Sequence, residues 1–563
     1  MSDNALWIIL QKLRTPLLVI IVTYSIAILG MVLIPGEKDP ITHEIYHLTF
    51  FDAFYFVSYM ASTIGFGEAP YTFTYQQRLW VSVCIYITVV GWFYGIGALV
   101  SAVTDKTLKF EMMRSKFRKR VQTIKGDFVI ILGYTYVNAE IIKKLHAVNI
   151  EVVLIDENEE KINHFLLEDF SLDVPIMVGN ALLADTLNDA GIQQSNCKAI
   201  VSLFNNEEEN LRIAILTRFL NPKVKVIAKS TFSDITKSIL DTDIAKAINP
   251  FEIFAKRVDV ALQSPHVLIL ENWIYQNSDL MNQAMFLPKG KYIVCGYGRF
   301  GKLLQEKFEK HNLESIFIDE KRLASIEMME SGRFIRANPD DKEVLLEAGI
   351  KEAVGLIVGT QNDIDNLSIM ITARKLNPDI YLIARENTMQ EVSIFQAADI
   401  DWVFMLENIL INKVSLSLSK PLKNRFLKLI LNKDEEWAER LVKLLRNKIG
   451  ANPRLMTLKI NEEESYAIYH ELLEGNEVSI DVLAHSLSDW QKNNAVVPLL
   501  IHRKNEEILL PKNRLLQIDD RILFACDEYS KEEIELIASN VYEFYYALCG
   551  KEKESPILKK LFG

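Results

Sequence analysis

The chain has 563 residues, of which 49% are hydrophobic and 24% charged, and its formal net charge at pH 7 is −11. This acidic balance argues against a nucleic-acid-binding protein, which would usually carry a basic face. The five cysteines are odd in number and are not spaced as pairs, which argues against a disulfide framework and indicates reduced thiols facing the cytosol.

Two apolar stretches predict transmembrane helices. Residues 17–34 and residues 79–104 contain no charged side chain, and each stretch is long enough to cross a bilayer as a helix. Basic residues precede the first stretch and follow the second, whereas acidic residues dominate the loop between them. The positive-inside rule therefore predicts a multi-pass protein of the cell (inner) membrane with both termini in the cytoplasm.

Between the two stretches, residues 53–67 are free of charge but too short to span a membrane as a straight helix. The segment ends in Gly65-Phe66-Gly67, which favours non-helical backbone. At membrane depth such backbone is tolerated only where it lines a water-filled path, and glycine reaches the φ and ψ values that turn successive carbonyls inward. We predict a short pore helix at residues 50–62 followed by an ion filter; an ordinary re-entrant turn or surface loop is the alternative.

The filter segment resembles that of potassium channels. Their Thr-Val-Gly-Tyr-Gly motif is matched here with Ile in place of Val and Phe in place of Tyr. The resemblance implies K⁺ as the permeant ion and a selectivity filter made of Thr63, Ile64, Gly65, Phe66 and Gly67.

The second apolar stretch contains Gly95-Ile96-Gly97. This segment resembles the point where calcium-gated prokaryotic potassium channels bend their inner helix, which implies that Gly95 is a gating hinge. Close helix packing through small residues is the alternative. The basic stretch that follows, up to Lys125, is expected to be a mechanical linker or a contact with anionic lipids.

The remaining chain contains an internal repeat. Two short apolar strands end in Gly133 and in Gly296, and each is followed by a helical pattern and by a second strand ending in Asp156 or Asp319. Glycine and acid are twenty-three residues apart in both copies, the spacing of a dinucleotide-binding βαβ unit. Alternating strands and helices in each copy predict two Rossmann-like domains with doubly wound parallel sheets.

The second copy carries a complete G-x-G-x-x-G motif, with Asp319 at the position that binds an adenosine ribose and favours NAD over NADP. In such a motif the first glycine makes the turn, the second lets backbone approach the pyrophosphate and the third allows close packing. The alternative is a fold that has lost its ligand. The predicted cofactor-binding residues of this copy are Gly296, Gly298, Arg299, Phe300, Gly301 and Asp319.

The first copy has an altered motif, Gly133-Tyr134-Thr135, in which Thr135 replaces the second glycine and Asn138 the third. Asp156 is retained. An adenosine half-site, for ADP or another adenine nucleotide, is therefore kept as an open prediction for this copy.

The tandem repeat resembles the RCK (regulator of K⁺ conductance) domains of ligand-gated potassium channels. A filter followed by two such domains resembles the tandem-RCK channels of the GsuK type, which implies a homotetramer with a cytoplasmic ring of eight domains that binds nucleotide to control the pore. It also implies a small α+β lobe at the C-terminus and a role for Arg385 in reaching ligand phosphates, with a solvated arginine as the alternative. The expected domains are a pore at 1–104, a linker at 105–125, RCK domains at 126–286 and 287–450, and the lobe at 451–563.

Calcium is left as an alternative ligand. In the calcium-gated relatives acidic residues follow the strand that ends in Ile-Ala, whereas here Lys229 and Ser230 follow. No metal ligands are assigned from the sequence. A calcium site built elsewhere from oxygen ligands stays open.

Two other functions remain as alternatives. A membrane-anchored NAD-dependent oxidoreductase would need a catalytic His, Cys or Lys constellation beside a glycine loop, and the sequence shows none there, so enzyme activity is not expected. The membrane unit of a potassium uptake transporter would need several filter-like repeats, and the sequence has one.

Overall fold

The computed structural model describes residues 3–38, 44–68, 71–104, 106–167, 174–243, 245–282, 285–321, 324–387, 395, 399–504 and 506–553. Residue 105 of the predicted linker and residues 554–563 of the predicted C-terminal lobe lie outside this part of the chain. The chain divides into two compact units, one formed by residues 1–125 with 153–194 and the other by residues 126–152 with 195–563.

The helices and strands follow one another as the repeat predicts. The first four helices are α1 (Asp3–Leu33), α2 (Phe50–Ala61), α3 (Tyr75–Val103) and α4 (Lys106–Gln122). The first repeat contains β1 (Phe128–Leu132), α5 (Tyr136–His146), β2 (Glu151–Asp156), α6 (Glu159–Leu167), β3 (Ile176–Val178), α7 (Ala184–Asp189), β4 (Cys197–Ser202), α8 (Glu207–Leu220), β5 (Lys225–Lys229), α9 (Ser233–Leu240) and β6 (Ala245–Ile248), and continues into α10 (Pro250–Gln263) and α11 (Pro265–Tyr275).

The second repeat and its tail have the same alternation. They contain β7 (Tyr292–Cys295), α12 (Arg299–Lys310), β8 (Ser315–Ile318), α13 (Ile326–Glu330), β9 (Phe334–Ile335), α14 (Lys342–Glu347), β10 (Gly355–Val358), α15 (Asp363–Leu376), β11 (Tyr381–Glu386), β12 (Trp402–Met405), α16 (Leu406–Ser419), α17 (Pro421–Ile430) and α18 (Glu435–Lys448). The C-terminal part contains β13 (Arg454–Lys459), α19 (Tyr466–Leu473), a 3-10 helix (Ile480–Ala484), β14 (Val496–Arg503), β15 (Glu506–Leu509), β16 (Arg521–Cys526), α20 (Glu528–Ser539) and α21 (Val541–Cys549).

Within the first unit, α1 and α3 are long and apolar enough to cross a membrane by length and composition, over Leu13–Leu33 and Tyr75–Ser101. They pack against each other, and α2 packs against both. Their shared apolar core includes Met31 of α1, Phe56 of α2 and Cys84 of α3. Helix α1 starts well before the uncharged stretch of the sequence, because a change from apolar to polar residues does not by itself end a helix.

Most strands of the first repeat lie in the second unit, where β1 pairs in parallel with β4, β4 with β5, and β5 with β6. In the first unit, β2 pairs in parallel with β3. The second repeat forms a complete parallel sheet in the order β12-β11-β10-β7-β8-β9. This is the strand order of a doubly wound dinucleotide-binding fold. The predicted fold class, two transmembrane-length helices followed by two Rossmann-like domains, is confirmed.

Inside the second unit, the helix that follows the last strand of each repeat, here called its tail, packs against the other repeat. Helix α10, the tail of the first repeat, packs against α12, and α16, the tail of the second repeat, packs against α5. The contact of α10 with the second repeat centres on Phe254. The Phe254 ring stacks on Phe404 of β12 at a centroid distance of 3.4 Å and lies 5.4 Å from Phe300 of α12. Both α5 and α12 follow a glycine loop, so each loop sits beside the tail of the other repeat.

The C-terminal part forms an antiparallel sheet in the order β13-β16-β14-β15, with α20 and α21 packed on one another beside it. It has its own apolar core, which includes Ile468, Phe524 and Phe544. The expected small α+β lobe is therefore present.

Candidate functional site

The filter segment follows α2 directly. Thr49 caps the N-terminus of this helix, with its hydroxyl oxygen accepting a hydrogen bond from the Asp52 amide. Beyond the helix, φ is +60° at Thr63, +66° at Gly65 and +100° at Gly67, while Ile64 and Phe66 have negative values. This alternation turns successive carbonyls toward one side of the backbone. An ion filter needs that arrangement, because carbonyl oxygens replace the hydration shell of the ion.

Side chains behind the segment hold it in place. The Tyr59 hydroxyl donates to the Gly67 carbonyl at 2.6 Å, and the Tyr59 ring lies edge-on to Phe66 at a centroid distance of 5.5 Å. Glu68 accepts from the Phe73 amide at 2.9 Å and from the Arg78 guanidinium at 2.8 Å. The segment is thus tied both to α2 and to α3, and Tyr59 supplies a hydroxyl that Phe66 lacks.

Gly95 lies inside the continuous helix α3. A Cβ on Gly95 would approach Cδ1 of Ile20 in α1 to 2.5 Å, and a Cβ on Gly91 would approach the Thr23 hydroxyl to 3.0 Å. Nothing lies within 4 Å of the same position on Gly97. Gly91 and Gly95 therefore let α1 and α3 approach each other, as the packing alternative expects; the hinge at Gly95 stays a prediction.

The predicted linker is a helix over most of its length, and in the first unit it packs against α7. The Arg114 guanidinium donates to the buried carboxylate of Asp189, and Nε of Arg118 lies 3.6 Å from the same carboxylate. This ion pair raises the pKa of Arg114. On the same helix, Phe117 and Val121 are buried. The linker is thus fixed to α7 by charge, and its apolar residues are buried within the first unit.

The three glycines of the second loop occupy three different environments. Gly296 has φ +108°, which favours glycine, and a Cβ on Gly301 would come within 2.3 Å of the Gly296 carbonyl oxygen. At Gly298 a Cβ would meet nothing within 4 Å. Gly298 borders a cavity of about 740 Å³, so its missing side chain leaves space for a ligand. The loop fits the geometry of a pyrophosphate site at the start of α12.

Asp319 lies at the end of β8 and lines the same cavity. Its carboxylate accepts hydrogen bonds from the Tyr297 amide at 2.7 Å and from the Lys321 amide at 2.9 Å. These bonds hold the carboxylate at the edge of the glycine loop, where a ribose of a dinucleotide would lie. Asn338 and Pro339 continue this side of the cavity.

Two arginines and a phenylalanine form the other wall. Arg385 lies at the end of β11, with its guanidinium 5.1 Å from the centroid of the Phe251 ring, and the guanidinium of Arg299 lies 5.4 Å from the same ring. Burial lowers the pKa of Arg385 to about 10, the carboxylate of Asp363 opposes this effect, and the charge of Arg299 adds to it. Nε of Arg385 is buried without a hydrogen-bond partner among the described residues. Two cations facing one cavity favour an anionic ligand such as a phosphate.

Phe300 contributes to this wall by packing against protein atoms. It is buried and packs against Phe404 and against the backbone of Gly359, where a Cβ would approach the Phe300 ring to 2.7 Å. Among the predicted residues of the second copy, Gly296, Gly298, Arg299, Phe300, Asp319 and Arg385 all line the one cavity.

The first glycine loop is filled by its own side chains. Thr135 caps α5 by accepting from the Asn138 amide at 3.3 Å, and Nδ2 of the buried Asn138 donates to the carbonyls of Leu132 and Gly133 at 3.2 and 2.6 Å. Tyr134 is buried. The loop belongs to the second unit, whereas Asp156 belongs to the first, where its carboxylate accepts from the Asn158 amide at 2.7 Å. The half-site of this copy stays a prediction.

The acidic run at residues 205–209 opens α8. Asn206 caps the helix, and the Glu207 side chain is only 4% exposed. The Glu207 carboxylate accepts from the amides of Thr231 and Phe232 at 2.8 and 3.1 Å and from the Ser230 hydroxyl at 2.9 Å. These hydrogen bonds keep the pKa of Glu207 low although burial opposes them. No three His, Cys, Asp or Glu side chains converge on a metal position within the described ranges, and calcium stays a prediction without assigned ligands.

Sequence reasoning missed three contributors to these sites. Phe251 reaches the cavity from the tail of the other repeat, Tyr59 bonds the filter from the preceding helix, and Asp189 anchors the linker. The first and third depend on tertiary packing, which leaves no local signal. The Tyr59 contact spans eight residues and would have been accessible from the pore-helix prediction.

The TrkA-N domain family model matches the chain twice, at residues 129–250 and 292–406. The chain is 30% identical over 204 residues to the probable potassium channel protein 2 of Methanocaldococcus jannaschii, a match that covers 32% of this chain and 58% of that protein. It is 37% identical over 97 residues to potassium channel protein 1 of the same organism, covering 17% of this chain and 29% of that protein. In these matches the chain spans less than two thirds of either relative.

Among solved structures, the GsuK channel bound to NAD is similar, with a TM-score of 0.48 and 12% sequence identity over 95% of this chain and 99% of that chain. The resemblance drawn from the filter and the repeat is confirmed: the chain carries two tandem TrkA-N domains, and its relatives in sequence include potassium channel proteins.

Proposed function

We propose that the chain is the subunit of a potassium-selective channel whose pore is controlled by nucleotide. The observation that carries the proposal is the alternation of left-handed φ at Thr63, Gly65 and Gly67 directly after α2, between two helices of membrane-spanning length. In this proposal four chains surround one pore, both termini are cytoplasmic, and K⁺ passes along the carbonyls of residues 63–67.

The proposed ligand of the second TrkA-N domain is NAD. The volume of the cavity, the open space at Gly298, the acid at Asp319 and the two arginines suit a dinucleotide with a pyrophosphate in the middle. ADP would fill the part between Asp319 and the glycine loop. The described lining of the cavity includes no histidine or cysteine, and the lysine in it, Lys321, follows Asp319 on the side proposed for the ribose. This lining disfavours the oxidoreductase alternative.

The proposed route from ligand to pore runs through the linker helix. Eight TrkA-N domains of four chains would form a cytoplasmic ring, and a ligand shifts the shape of such a ring only if it binds one shape better than another. Helix α4 follows α3 in the chain and is anchored through Asp189, so it is placed to transmit a displacement to the inner helices.

The filter is tested by measuring K⁺ and Na⁺ flux into liposomes that contain the purified chain. Gly65→Ala places a Cβ on a residue with φ +66°, a conformation that costs L-residues about 1–2 kcal/mol, and in a tetramer the distortion occurs four times. We expect K⁺ selectivity or K⁺ flux to be lost in this variant. Gly97→Ala is the matched control, because its Cβ meets nothing within 4 Å in a helix. Undiminished K⁺-selective flux through Gly65→Ala would overturn the proposed filter.

A further inference from the structure

Arg299 reaches out of its own domain. It is the first residue of α12, next to Gly298, where a pyrophosphate would bind in the second domain. Its guanidinium nevertheless points toward the first repeat, where it donates to the Thr231 hydroxyl and lies 3.7 Å from the Glu207 carboxylate. The Phe232 ring of the same repeat lies 4.6 Å from the guanidinium carbon.

The carboxylate that lies beside the Arg299 guanidinium, that of Glu207, favours a cationic partner. Glu207 is held in a fixed orientation by the amides of Thr231 and Phe232 and stays ionised. A buried carboxylate interacts strongly with a nearby guanidinium, because the surrounding protein screens charges less than water does. Arg299 is 44% exposed, so protein atoms do not enclose its side chain and water can replace the contacts that it gives up.

Electrostatic repulsion from Arg385 also acts on the Arg299 guanidinium. Arg299 and Arg385 lie against one Phe251 ring, and the charge of Arg299 disfavours the charge of Arg385. A phosphate in the cavity would attract both arginines and remove their mutual repulsion. Arg299 would then face two competing anions, the Glu207 carboxylate of the first repeat and the pyrophosphate at its own helix N-terminus.

We propose that Arg299 is a two-position latch: it holds Glu207 of the first TrkA-N domain when the second pocket is empty, and nucleotide phosphates withdraw it. The inference rests on nucleotide binding in the second pocket and specifies its regulation. Nucleotide occupancy then breaks a contact between the two domains of one chain, so that binding energy is converted into a change in how the domains pair. Because coupling is reciprocal, a contact that ligand breaks must also oppose ligand binding.

The test is calorimetric titration of NAD, and separately of ADP, into the full detergent-solubilised chain. Glu207→Gln removes the charge that competes for Arg299, and we expect NAD to bind about threefold to tenfold more tightly than to the wild type. Glu208→Gln, on the exposed side of the same helix, removes an equal charge outside the latch and should leave the affinity unchanged. In an Arg299→Ala background, Glu207→Gln should have no effect on affinity, because its partner is gone.

The outcomes separate the latch from the site itself. Unchanged or weaker NAD binding in Glu207→Gln, with normal binding by the wild type, would overturn the latch and leave the nucleotide site standing. An equal gain of affinity in the Arg299→Ala background would also overturn it, since the effect would not run through Arg299. Failure of the wild type to bind either nucleotide would overturn the proposed site, and the latch with it.

Discussion

At the scale of single residues, the proposed nucleotide pocket of the second repeat depends on a glycine, at a position where an added side chain would fit the protein but not the ligand. Gly298 has φ −81°, which any residue adopts, and a Cβ there meets nothing within 4 Å. The glycine is therefore not required for folding. In the proposed site its benefit would be the close approach of backbone to a pyrophosphate.

This difference gives a sharp prediction. The free energy of unfolding of Gly298→Val should match that of the wild type to within about 1 kcal/mol, because the added Cβ displaces no neighbour. NAD binding measured by calorimetry should fall by at least a hundredfold, because the branched side chain fills the phosphate position. Thr135→Ala, at the equivalent position of the first copy, is the control and should leave binding to the second pocket intact. Wild-type affinity in Gly298→Val would place the ligand elsewhere.

Another residue-scale prediction concerns a buried lysine in the second unit. Lys423 of α17 is 6% exposed, and its pKa falls to about 7 because burial, and then the charge of Lys420, disfavours the ammonium. An unfolded lysine keeps its proton up to a pH of about 10.4. Between these values the unfolded chain binds the proton and the folded chain does not, so stability should rise with pH from about 7 to about 10.

Replacing the lysine should remove that dependence. Lys423→Met should raise the apparent Tm at pH 7 and flatten the rise of Tm between pH 7 and pH 10, as followed by differential scanning fluorimetry. Lys428→Met, on the exposed side of the same helix, should change neither. An unaltered Tm–pH curve for Lys423→Met would mean that the ammonium is solvated in the folded protein.

At the scale of elements, the linker helix α4 is more than a covalent tether. Arg114 and Arg118 both face the carboxylate of Asp189 at the end of α7, and Val121 lies where a Cβ on Gly191 would approach it to 2.7 Å. A flexible Gly/Ser insertion after Lys125 would lengthen the covalent connection but would leave these contacts intact. The proposed mechanical coupling would therefore have two parallel routes, and both would have to be broken to remove it.

We predict that Asp189→Ala combined with a Gly/Ser insertion after Lys125 reduces the effect of nucleotide on K⁺ flux more than either change alone. A flexible segment takes up displacement instead of transmitting it. NAD should still bind, because neither change touches the pocket, and its affinity should change by no more than the coupling free energy that is lost, about 1–3 kcal/mol. Asn188→Ala, exposed on the same helix, is the control for Asp189→Ala. Full nucleotide sensitivity of the combined variant would exclude the linker as the route and require direct contacts between the ring and the membrane part.

At the scale of the whole molecule, the second unit derives its organisation from an exchange of tails between the two repeats. Helix α10 covers α12, and α16 covers α5, where the Lys144 ammonium donates to Asn412 at 2.7 Å. Each glycine loop thus lies beside a tail from the other repeat, and Phe251 enters the second cavity from the start of α10. A ligand in the second cavity would therefore contact elements of both repeats.

The features that could be predicted from the sequence are those that depend on the spacing of residues close together in the chain. The two membrane-length helices and the two Rossmann-like domains with parallel sheets follow from patterns within about thirty residues. The contacts of Arg299 with Glu207 and of Arg114 with Asp189 join residues that are far apart in the chain. They depend on how tails and linker pack, and neither arginine differs in its local pattern from one on a solvated surface. The exchange of tails explains why the cavity could be only partly predicted.

The central claim is that nucleotide in the second pocket controls a potassium pore, and one measurement tests it most directly. K⁺ flux into liposomes containing the full chain is recorded with and without NAD, for the wild type and for Gly298→Val in parallel. We predict a K⁺-selective flux that NAD changes in the wild type, in either direction, and leaves unchanged in Gly298→Val, with equal flux in both proteins when NAD is absent. Absence of K⁺ flux through the wild type, or a response to NAD that persists undiminished in Gly298→Val, would contradict the account.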